Sequence, residues 1–140
     1  MLNTMDKTTG NPRILVVDDN AELRKGLSLQ LRANGYDVLF AADAISATAT
    51  VVKQEPDLVI LDLGLPCGDG FVVIERLQNN DRLARIPIIV LTARESEQNR
   101  ERALQAGAAA FLQKPVEDGA LLFAIQRALD AARGEVRYND

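Results

Sequence analysis

The sequence predicts an α/β protein in which helices cover both faces of a five-stranded, doubly wound parallel sheet. Short apolar runs rich in Val and Ile alternate five times with longer segments that favour helices. Connections of that length return each strand parallel to the one before, and uninterrupted apolar runs are typical of strands buried on both faces. With 140 residues, the chain has the length of a single domain.

Local signals set the limits of these elements in chain order. The first helix repeats leucine at intervals of four residues and ends near Asn34-Gly35, a typical C-terminal signal. The second helix ends at Glu55-Pro56 and the fourth at Gly107. The predicted strands are Arg13–Asp18, Tyr36–Ala41, Leu58–Leu61, Ile86–Leu91 and Ala109–Leu112. The predicted helices are Ala21–Ala33, Ala44–Gln54, Phe71–Asn79, Glu95–Ala106 and Glu117–Arg133.

The fifth predicted helix has an apolar stripe on one side, which we expect to face the core. The stripe consists of Leu121, Leu122, Ile125, Ala128 and Leu129. Phe123 and Arg127 fall outside the stripe, so they are candidates for a dimer or partner surface. A single exposed apolar residue is common on protein surfaces, so Phe123 alone is weak evidence for such a surface.

Composition and charge narrow the classes of function. The net charge of −4 and the isoelectric point near 4.9 argue against direct binding of nucleic acid. No apolar stretch approaches the roughly 20 residues that cross a bilayer, and residues 1–11 lack the apolar core of a signal peptide. A single cysteine fits a reducing compartment, so we expect a cytoplasmic protein. Residues 1–11 are expected to form a disordered leader, and residues 134–140 a flexible tail or the start of a linker.

Chemically active side chains follow the predicted strands at the points where those strands end. Asp18 and Asp19 end the first apolar run, Asp62 follows the third, Thr92 follows the fourth and Lys114 comes shortly after the fifth. Because the carboxyl ends of parallel strands meet at one edge of a sheet, we expect these side chains to converge. Three neighbouring carboxylates repel one another unless a cation joins them, and Mg²⁺ prefers oxygen ligands. The sequence therefore predicts a Mg²⁺ site beside a hydroxyl and an ammonium group.

Four sequence segments together resemble the receiver domain of two-component response regulators, in particular the chemotaxis regulators. They are VVDDN, VILDLGLPCGDGF, IIVLTA and GAAAFLQKP. Thirty positions separate Asp62 from Thr92 and twenty-two separate Thr92 from Lys114, which is similar to the spacing in that family. The resemblance implies a receiver domain over residues 12–133 with a flavodoxin-like fold and the strand order 2-1-3-4-5.

The resemblance implies a role for each acidic residue. Asp62 would be the phosphoacceptor, since its carboxylate would attack the phosphorus of a phosphohistidine donor and form an acyl phosphate. Asp19, Asp62 and the backbone carbonyl of Gly64 would ligate Mg²⁺ directly, and Asp18 would act mainly through water. From the residues alone, Asp18 and Asp19 could cap the first helix, a role compatible with metal binding by a neighbouring residue, and Asp62 could be an ordinary turn residue.

The other site residues would contact the phosphoryl group or respond to it. By the resemblance, Lys114 would offset the charge of roughly −1.5 to −2 that phosphorylation adds, and the bond from Lys114 to Pro115 would be cis. Thr92 would move toward the phosphoryl group, Phe111 would turn into the vacated space, and the small Ala93 would leave room. Taken alone, Thr92 fits an ordinary strand residue and Phe111 an ordinary core residue.

An enzyme of the aspartate-nucleophile class, a phosphatase or phosphotransferase, is the alternative function. Those enzymes carry a second Asp two residues after the nucleophile as a general acid, and this chain has Gly64 there. We therefore expect no enzyme activity beyond self-phosphorylation and autodephosphorylation. Gly64 and Arg94 stand at the two family positions that tune the lifetime of the phosphoryl group. No glycine-rich phosphate motif follows the first strand, which argues against a nucleotide-binding module.

The resemblance therefore predicts a phosphoacceptor switch of a two-component system or phosphorelay. A histidine kinase or a histidine phosphotransfer protein would supply the phosphoryl group. Phosphorylation would repack the surface formed by the fourth helix, the fifth strand and the fifth helix. That surface would contact a downstream protein target, a following output domain or a second copy of the chain. We expect either a stand-alone regulator or the receiver domain of a longer protein.

Overall fold

The computed structural model describes residues 10–65, 70–93 and 97–134. Within them, a parallel sheet has the strand order β2-β1-β3-β4-β5. Its strands are β1 (Arg13–Val17), β2 (Asp37–Ala41), β3 (Leu58–Leu61), β4 (Ile88–Thr92) and β5 (Ala110–Gln113). The helices are α1 (Ala21–Ala33), α2 (Ala44–Gln54), α3 (Gly70–Gln78), α4 (Glu97–Gln105) and α5 (Asp118–Arg133), with a short 3₁₀ helix at Leu83–Arg85. The predicted fold class and strand order are confirmed.

The start of β4 differs from the prediction by two residues. The 3₁₀ helix, which was not predicted from the sequence, ends at Arg85 and is capped by Ile86, whose N–H donates to the carbonyl of Leu83 at 3.0 Å. Pro87 has no N–H to donate to a neighbouring strand, although its carbonyl accepts from the N–H of Val59 at 3.0 Å. The strand therefore begins at Ile88. The other described boundaries agree with the prediction or differ from it by one residue, as is usual at the ends of elements. Residues 95 and 96, where the fourth helix was predicted to begin, lie outside the described part.

Alternate residues of the central strands enter two separate cores on opposite faces of the sheet. Ile14 and Val16 of β1 pack with α1 and α5, and Leu15 and Val17 pack with α2, α3 and α4. All four residues of β3 are likewise buried, two on each face. This burial explains why the strands are continuous apolar runs rather than alternating ones.

The apolar stripe of α5 packs against the sheet largely as predicted. Leu121 and Ile125 are fully buried and Leu129 is 3% exposed, whereas Leu122 is only partly buried at the border of this core. Phe123 lies outside the stripe with 64% of its surface exposed. The predicted division of α5 into a core face and an outer face is therefore confirmed, except that Leu122 lies at its margin.

The residue that caps α1 is Asn20, and neither Asp18 nor Asp19 takes this role. The side-chain oxygen of Asn20 accepts from the N–H groups of Glu22 and Leu23 at 3.0 and 3.1 Å. Because Asn20 satisfies these helix donors, the two preceding aspartates remain available for other interactions. The interpretation of Asp18 and Asp19 as helix caps, left open above, is thus wrong.

The ends of the chain fall mostly outside the described residues. Of the predicted leader, only residues 10 and 11 are described, and of the predicted tail only Gly134, which ends α5 with a positive φ of 79°. None of the helices in the described ranges has both the length and the apolar character that crossing a membrane requires.

Candidate functional site

Three aspartates meet at the edge of the sheet where the strands end. Asp18 and Asp19 directly follow β1 and Asp62 directly follows β3, and these two strands are neighbours that pair up to Val17 and Leu61. Each aspartate offers a carboxylate oxygen within 4.8 Å of the others. The strand order therefore brings together the three aspartates, as predicted from the sequence.

Lys114 links two of these carboxylates. Its ammonium nitrogen lies 2.6 Å from Oδ2 of Asp18 and 3.4 Å from Oδ2 of Asp62. Burial by itself would lower the pKa of Lys114, but the hydrogen bonds and charges of Asp18 and Asp62 outweigh burial and raise the pKa above its ordinary value. Lys114 is therefore charged at neutral pH, and the stabilisation from this shift is lost only as the pH rises through the raised pKa. The Lys114–Pro115 bond is cis, as the resemblance implies.

Both carboxylate oxygens of Asp18 accept hydrogen bonds from protein donors. Oδ2 accepts from Lys114, and Oδ1 accepts from the N–H of Asn20 at 2.9 Å. The side chain is almost completely buried, with Asp18 only 3% exposed. Asp19, in contrast, is exposed. The geometry leaves Asp19 more open to a direct metal bond than Asp18, which agrees with the roles that the resemblance implies.

Asp62 is held by hydrogen bonds from two directions while part of its carboxylate stays accessible. Oδ1 accepts from the hydroxyl of Thr92 at 2.8 Å and from the N–H of Gly64 at 3.2 Å. The backbone N–H of Asp62 donates to the carbonyl of Val17 at 3.0 Å, which continues the pairing of β1 with β3. The side chain of Asp62 is 12% exposed to solvent. A carboxylate that is fixed in position and still reachable is suited to act as a nucleophile.

The switch residues adopt a particular arrangement in this structure. Thr92 is fully buried with its hydroxyl on Asp62, and Phe111 is 9% exposed with its ring in the core beside α4. Ala93 is exposed next to the site. Arg94, the second predicted lifetime-tuning position, lies outside the described residues.

Two residues near Asp62 and Asp18 were missed by the sequence analysis. Arg24 reaches back from the second turn of α1 and donates to the backbone carbonyl of Asp18 at 2.6 Å. Gly70 begins α3 so close to the loop after β3 that an added Cβ would lie 2.6 Å from the carbonyl oxygen of Asp62. The available signals were an arginine in the helix directly after Asp18-Asp19 and a glycine that ends the loop after Asp62.

The donor set of the cluster fits a hard divalent cation. Asp19, Asp62 and the backbone carbonyl of Gly64 supply only oxygen atoms, and the described part of the site contains no sulfur or imidazole ligand. Mg²⁺ would be held there by Asp19 and Asp62, and when bound it would supply positive charge for a phosphoryl oxygen. Lys114 and Thr92 would supply an ammonium and a hydroxyl donor on the other side of Asp62.

Comparison with known proteins places this chain in a family. The family model described as "Response regulator receiver domain" matches residues 14–126. The chain is 39% identical over 129 residues to the DNA-binding dual master transcriptional regulator RpaA of Synechocystis sp., covering 92% of this chain and 51% of that protein. It is 46% identical over 103 residues to the transcriptional regulatory protein PhoP of Escherichia coli K12, covering 74% and 45%. The chain thus spans about half the length of these curated relatives.

A solved structure agrees with the sequence relatives. The response regulator receiver domain protein (CheY-like) from Methanospirillum hungatei JF-1 superposes with a TM-score of 0.83 and 30% identity, and the match covers 89% of this chain and 98% of that one. The family model spans most of the chain, including every predicted site residue from Asp18 to Lys114. The chain therefore belongs to the response regulator receiver domain family of two-component systems.

Proposed function

We propose that this receiver domain is a phosphoacceptor switch in which Asp62 takes a phosphoryl group from a phosphohistidine in the presence of Mg²⁺. The observation that carries the proposal is the setting of Asp62, which lies within hydrogen-bond reach of Thr92 and Lys114 and within 4.8 Å of the carboxylates of Asp18 and Asp19. A histidine kinase or a histidine phosphotransfer protein would be the donor. We also propose that the protein acts in the cytoplasm, where such donors present their phosphohistidine.

The residues around Asp62 have separate roles in the proposed phosphoryl transfer. One carboxylate oxygen of Asp62 forms a bond to phosphorus while the bond from phosphorus to the imidazole nitrogen breaks, and that nitrogen keeps the electron pair. The ammonium of Lys114 stands where it can offset the negative charge brought by the phosphoryl oxygens. The hydroxyl of Thr92 and the N–H of Gly64 hold the carboxylate of Asp62 in place before transfer.

The alternative, an aspartate-nucleophile enzyme, lacks support at the position that such an enzyme needs. Gly64 has no side chain to protonate a leaving group, two residues after Asp62. Among the described residues, the side chains of Lys114 and Thr92 carry protons within hydrogen-bond distance of Asp62, and both already bond to aspartates. We therefore propose that the chemistry of the chain is limited to its own phosphorylation and dephosphorylation.

An apolar groove beside Lys114 is suited to a phosphodonor. A cavity of about 690 Å³ lies between α1 and the connection from β5 to α5, and Leu23, Leu27, Pro115 and Val116 form much of its lining. The same cavity is bordered by Lys114, so a helix that packs there would bring its phosphohistidine close to Asp62. We propose that the histidine kinase or phosphotransfer protein docks in this groove.

The output surface is proposed to be the face formed by α4, β5 and α5. Leu104 and Phe123 are 39% and 64% exposed on this face, and the guanidinium of Arg127 lies 5.7 Å from the ring centre of Phe123. Exposed apolar residues of this kind can contact a downstream protein target, an output domain or a second copy of the chain. The curated relatives are named transcriptional regulators, which favours an output domain in those proteins.

Uptake of a phosphoryl group from acetyl phosphate tests the proposed function. The purified protein is incubated with acetyl phosphate in the presence of Mg²⁺ or of excess EDTA, and its intact mass is measured. We expect one phosphoryl group per chain with Mg²⁺, far less with EDTA, and rapid loss of the group in alkali. A label that is stable in alkali, or equal labelling with EDTA, would mean that the chain is not a phosphoaspartate switch.

Replacing Asp19 by Asn is expected to weaken Mg²⁺ binding without destabilising the metal-free protein. The change removes one of three neighbouring negative charges, so the free energy of unfolding without metal should stay equal or increase. Mg²⁺ affinity should fall by at least as much as the roughly 10–100-fold typical of an outer-shell change. Denaturation by urea with and without Mg²⁺ measures both effects. Glu22→Gln is the matched control, since it removes an exposed carboxylate of α1 outside the cluster, and equal Mg²⁺ binding by both variants would exclude Asp19 as a ligand.

Replacing Phe111 by Ala is expected to separate phosphorylation from output. Phe111 does not contact Asp62 through any polar atom, so labelling of Asp62 should persist in the variant. Because the variant lacks the buried ring, a movement of Thr92 should have less effect on the core beside α4. The measurement is the change in amide chemical shifts on adding beryllofluoride and Mg²⁺. We expect reduced changes around Leu104 and Leu121, and changes as large as in the parent protein would show that Phe111 is only a core residue.

A further inference from the structure

A second groove lies on the far side of α1 from the proposed donor site. It runs between α1 and the edge strand β2, has a volume of about 420 Å³, and is lined by Ala21, Arg24, Lys25, Ser28, Leu29, Arg32 and Phe40. Nothing in the phosphoacceptor function described above uses this surface. It combines apolar and cationic side chains, so a complementary partner would carry apolar and negatively charged groups.

The floor of this groove, which we call the α1–β2 groove, is apolar and accessible. Leu29 is 66% exposed and Phe40 is 43% exposed. Val38, two residues before Phe40 on the same face of β2, is covered by α1 and only 8% exposed. Phe40 therefore lies just beyond the part of β2 that α1 covers, and its ring is left for another molecule to pack against.

The rim of the groove is positively charged although the whole protein carries a net charge of −4. Arg24, Lys25 and Arg32 line it, and no acidic side chain does. Arg24 is held in place by its bond to the carbonyl of Asp18. Within the described residues, neither Lys25 nor Arg32 pairs with a carboxylate. A partner with negative charges beside an apolar stripe would be complementary to this surface.

We propose that the α1–β2 groove docks an acidic amphipathic helix of a partner protein. Apolar side chains of that helix would cover Leu29 and Phe40, and its carboxylates would face Lys25 and Arg32. The lining residues run from Ala21 to Arg32, about three helical turns or roughly 16 Å, which is enough for anchors at positions i, i+3, i+4 and i+7 of a bound helix. A nucleic acid would satisfy the cations but leave the apolar floor uncovered.

A titration of the unphosphorylated protein in EDTA tests this proposal independently of phosphorylation. The probe is a designed helical peptide of about 15–20 residues with Leu on one face and Glu on the flanking positions. Amide chemical shifts are followed by NMR. We expect saturable changes confined to α1 and the end of β2, with an affinity that falls as salt is added. The same peptide with Lys in place of Glu should bind at least about tenfold more weakly.

Matched variants distinguish binding in the groove from non-specific binding of the peptide elsewhere on the surface. Leu29→Ser and Arg32→Glu should each weaken binding by about tenfold or more. Ile45→Ser and Lys53→Glu are the controls, because Ile45 on α2 is 64% exposed, close to the exposure of Leu29, and Lys53 is an exposed cation of the same helix. The proposal fails if the controls weaken binding equally, or if no saturable change occurs. It also fails if a duplex DNA oligonucleotide binds better than the acidic peptide and Leu29→Ser leaves DNA binding unchanged.

Discussion

Asp62→Asn is expected to abolish phosphorylation by acetyl phosphate and by a phosphohistidine donor. Asparagine keeps the shape of the side chain, and its carbonyl oxygen can still accept from Thr92 and from the N–H of Gly64, so the fold should be retained. The amide lacks the nucleophilic carboxylate oxygen on which the acyl phosphate forms. We expect intact mass measurements to detect no phosphoryl group on this variant.

The neighbouring aspartates are not expected to replace Asp62 as phosphoacceptor. Both oxygens of Asp18 accept from protein donors, Lys114 and the N–H of Asn20, and the residue is almost fully buried. Asp81→Asn, which removes an exposed aspartate far from the cluster, is the matched control and should be labelled like the parent protein. If the Asp62→Asn variant were labelled at the parent rate, the assignment of the phosphoacceptor would be wrong.

Gly70→Ala is expected to slow phosphorylation although Gly70 contributes no chemical group. A Cβ at this position would lie 2.6 Å from the carbonyl oxygen of Asp62 and 2.8 Å from Cα of Leu63. Both are backbone atoms that cannot rotate away, so either α3 or the loop that carries Asp62 must move, and we expect Asp62 to shift relative to Thr92 and Lys114. Overpacking of this kind typically costs about 1–3 kcal/mol of stability. A shift of about 1 Å at a reacting group can reduce a rate by roughly a hundredfold.

Two other helical glycines supply the control for this prediction. Gly26 in α1 and Gly119 in α5 have open space at the position of a Cβ and no positive φ. Alanine at either site should stabilise the protein by about 0.4–1 kcal/mol and leave phosphorylation unchanged. Rates of labelling by acetyl phosphate, together with urea denaturation, separate the two kinds of glycine. A Gly70→Ala variant that is labelled as fast as Gly26→Ala would show that Gly70 does not position Asp62.

The fold and the acidic cluster could be predicted from the sequence because both depend on regular features. Apolar runs buried on two faces define the strands, and residues at the ends of parallel strands necessarily approach one edge of the sheet. Asp18, Asp19 and Asp62 therefore come together whatever the details of side-chain packing. The core face of α5 could likewise be predicted, because helical periodicity alone selects Leu121 and Ile125.

Features that depend on side-chain geometry could not be predicted from the sequence. The N-cap position favours Asp and Asn, so Asp18, Asp19 and Asn20 are all suitable by residue type. Asn20 occupies this position because β1 ends at Val17 and the chain turns before α1 begins. That Lys114 lies closer to Asp18 than to Asp62 follows from the direction of its side chain, which spacing does not specify. The contact of Gly70 with the backbone of Asp62 likewise depends on how closely α3 approaches β3.

Chemical trapping of the phosphoryl group tests the central claim most directly. Borohydride reduces an acyl phosphate of aspartate to homoserine, and tandem mass spectrometry then locates the reduced residue. After incubation with acetyl phosphate and Mg²⁺, we predict homoserine at position 62 alone, and none after incubation in EDTA. Homoserine at position 18 or 19, or a phosphoryl group on a serine or threonine with Asp62 unmodified, would contradict the assignment of Asp62 as the phosphoacceptor of this receiver domain.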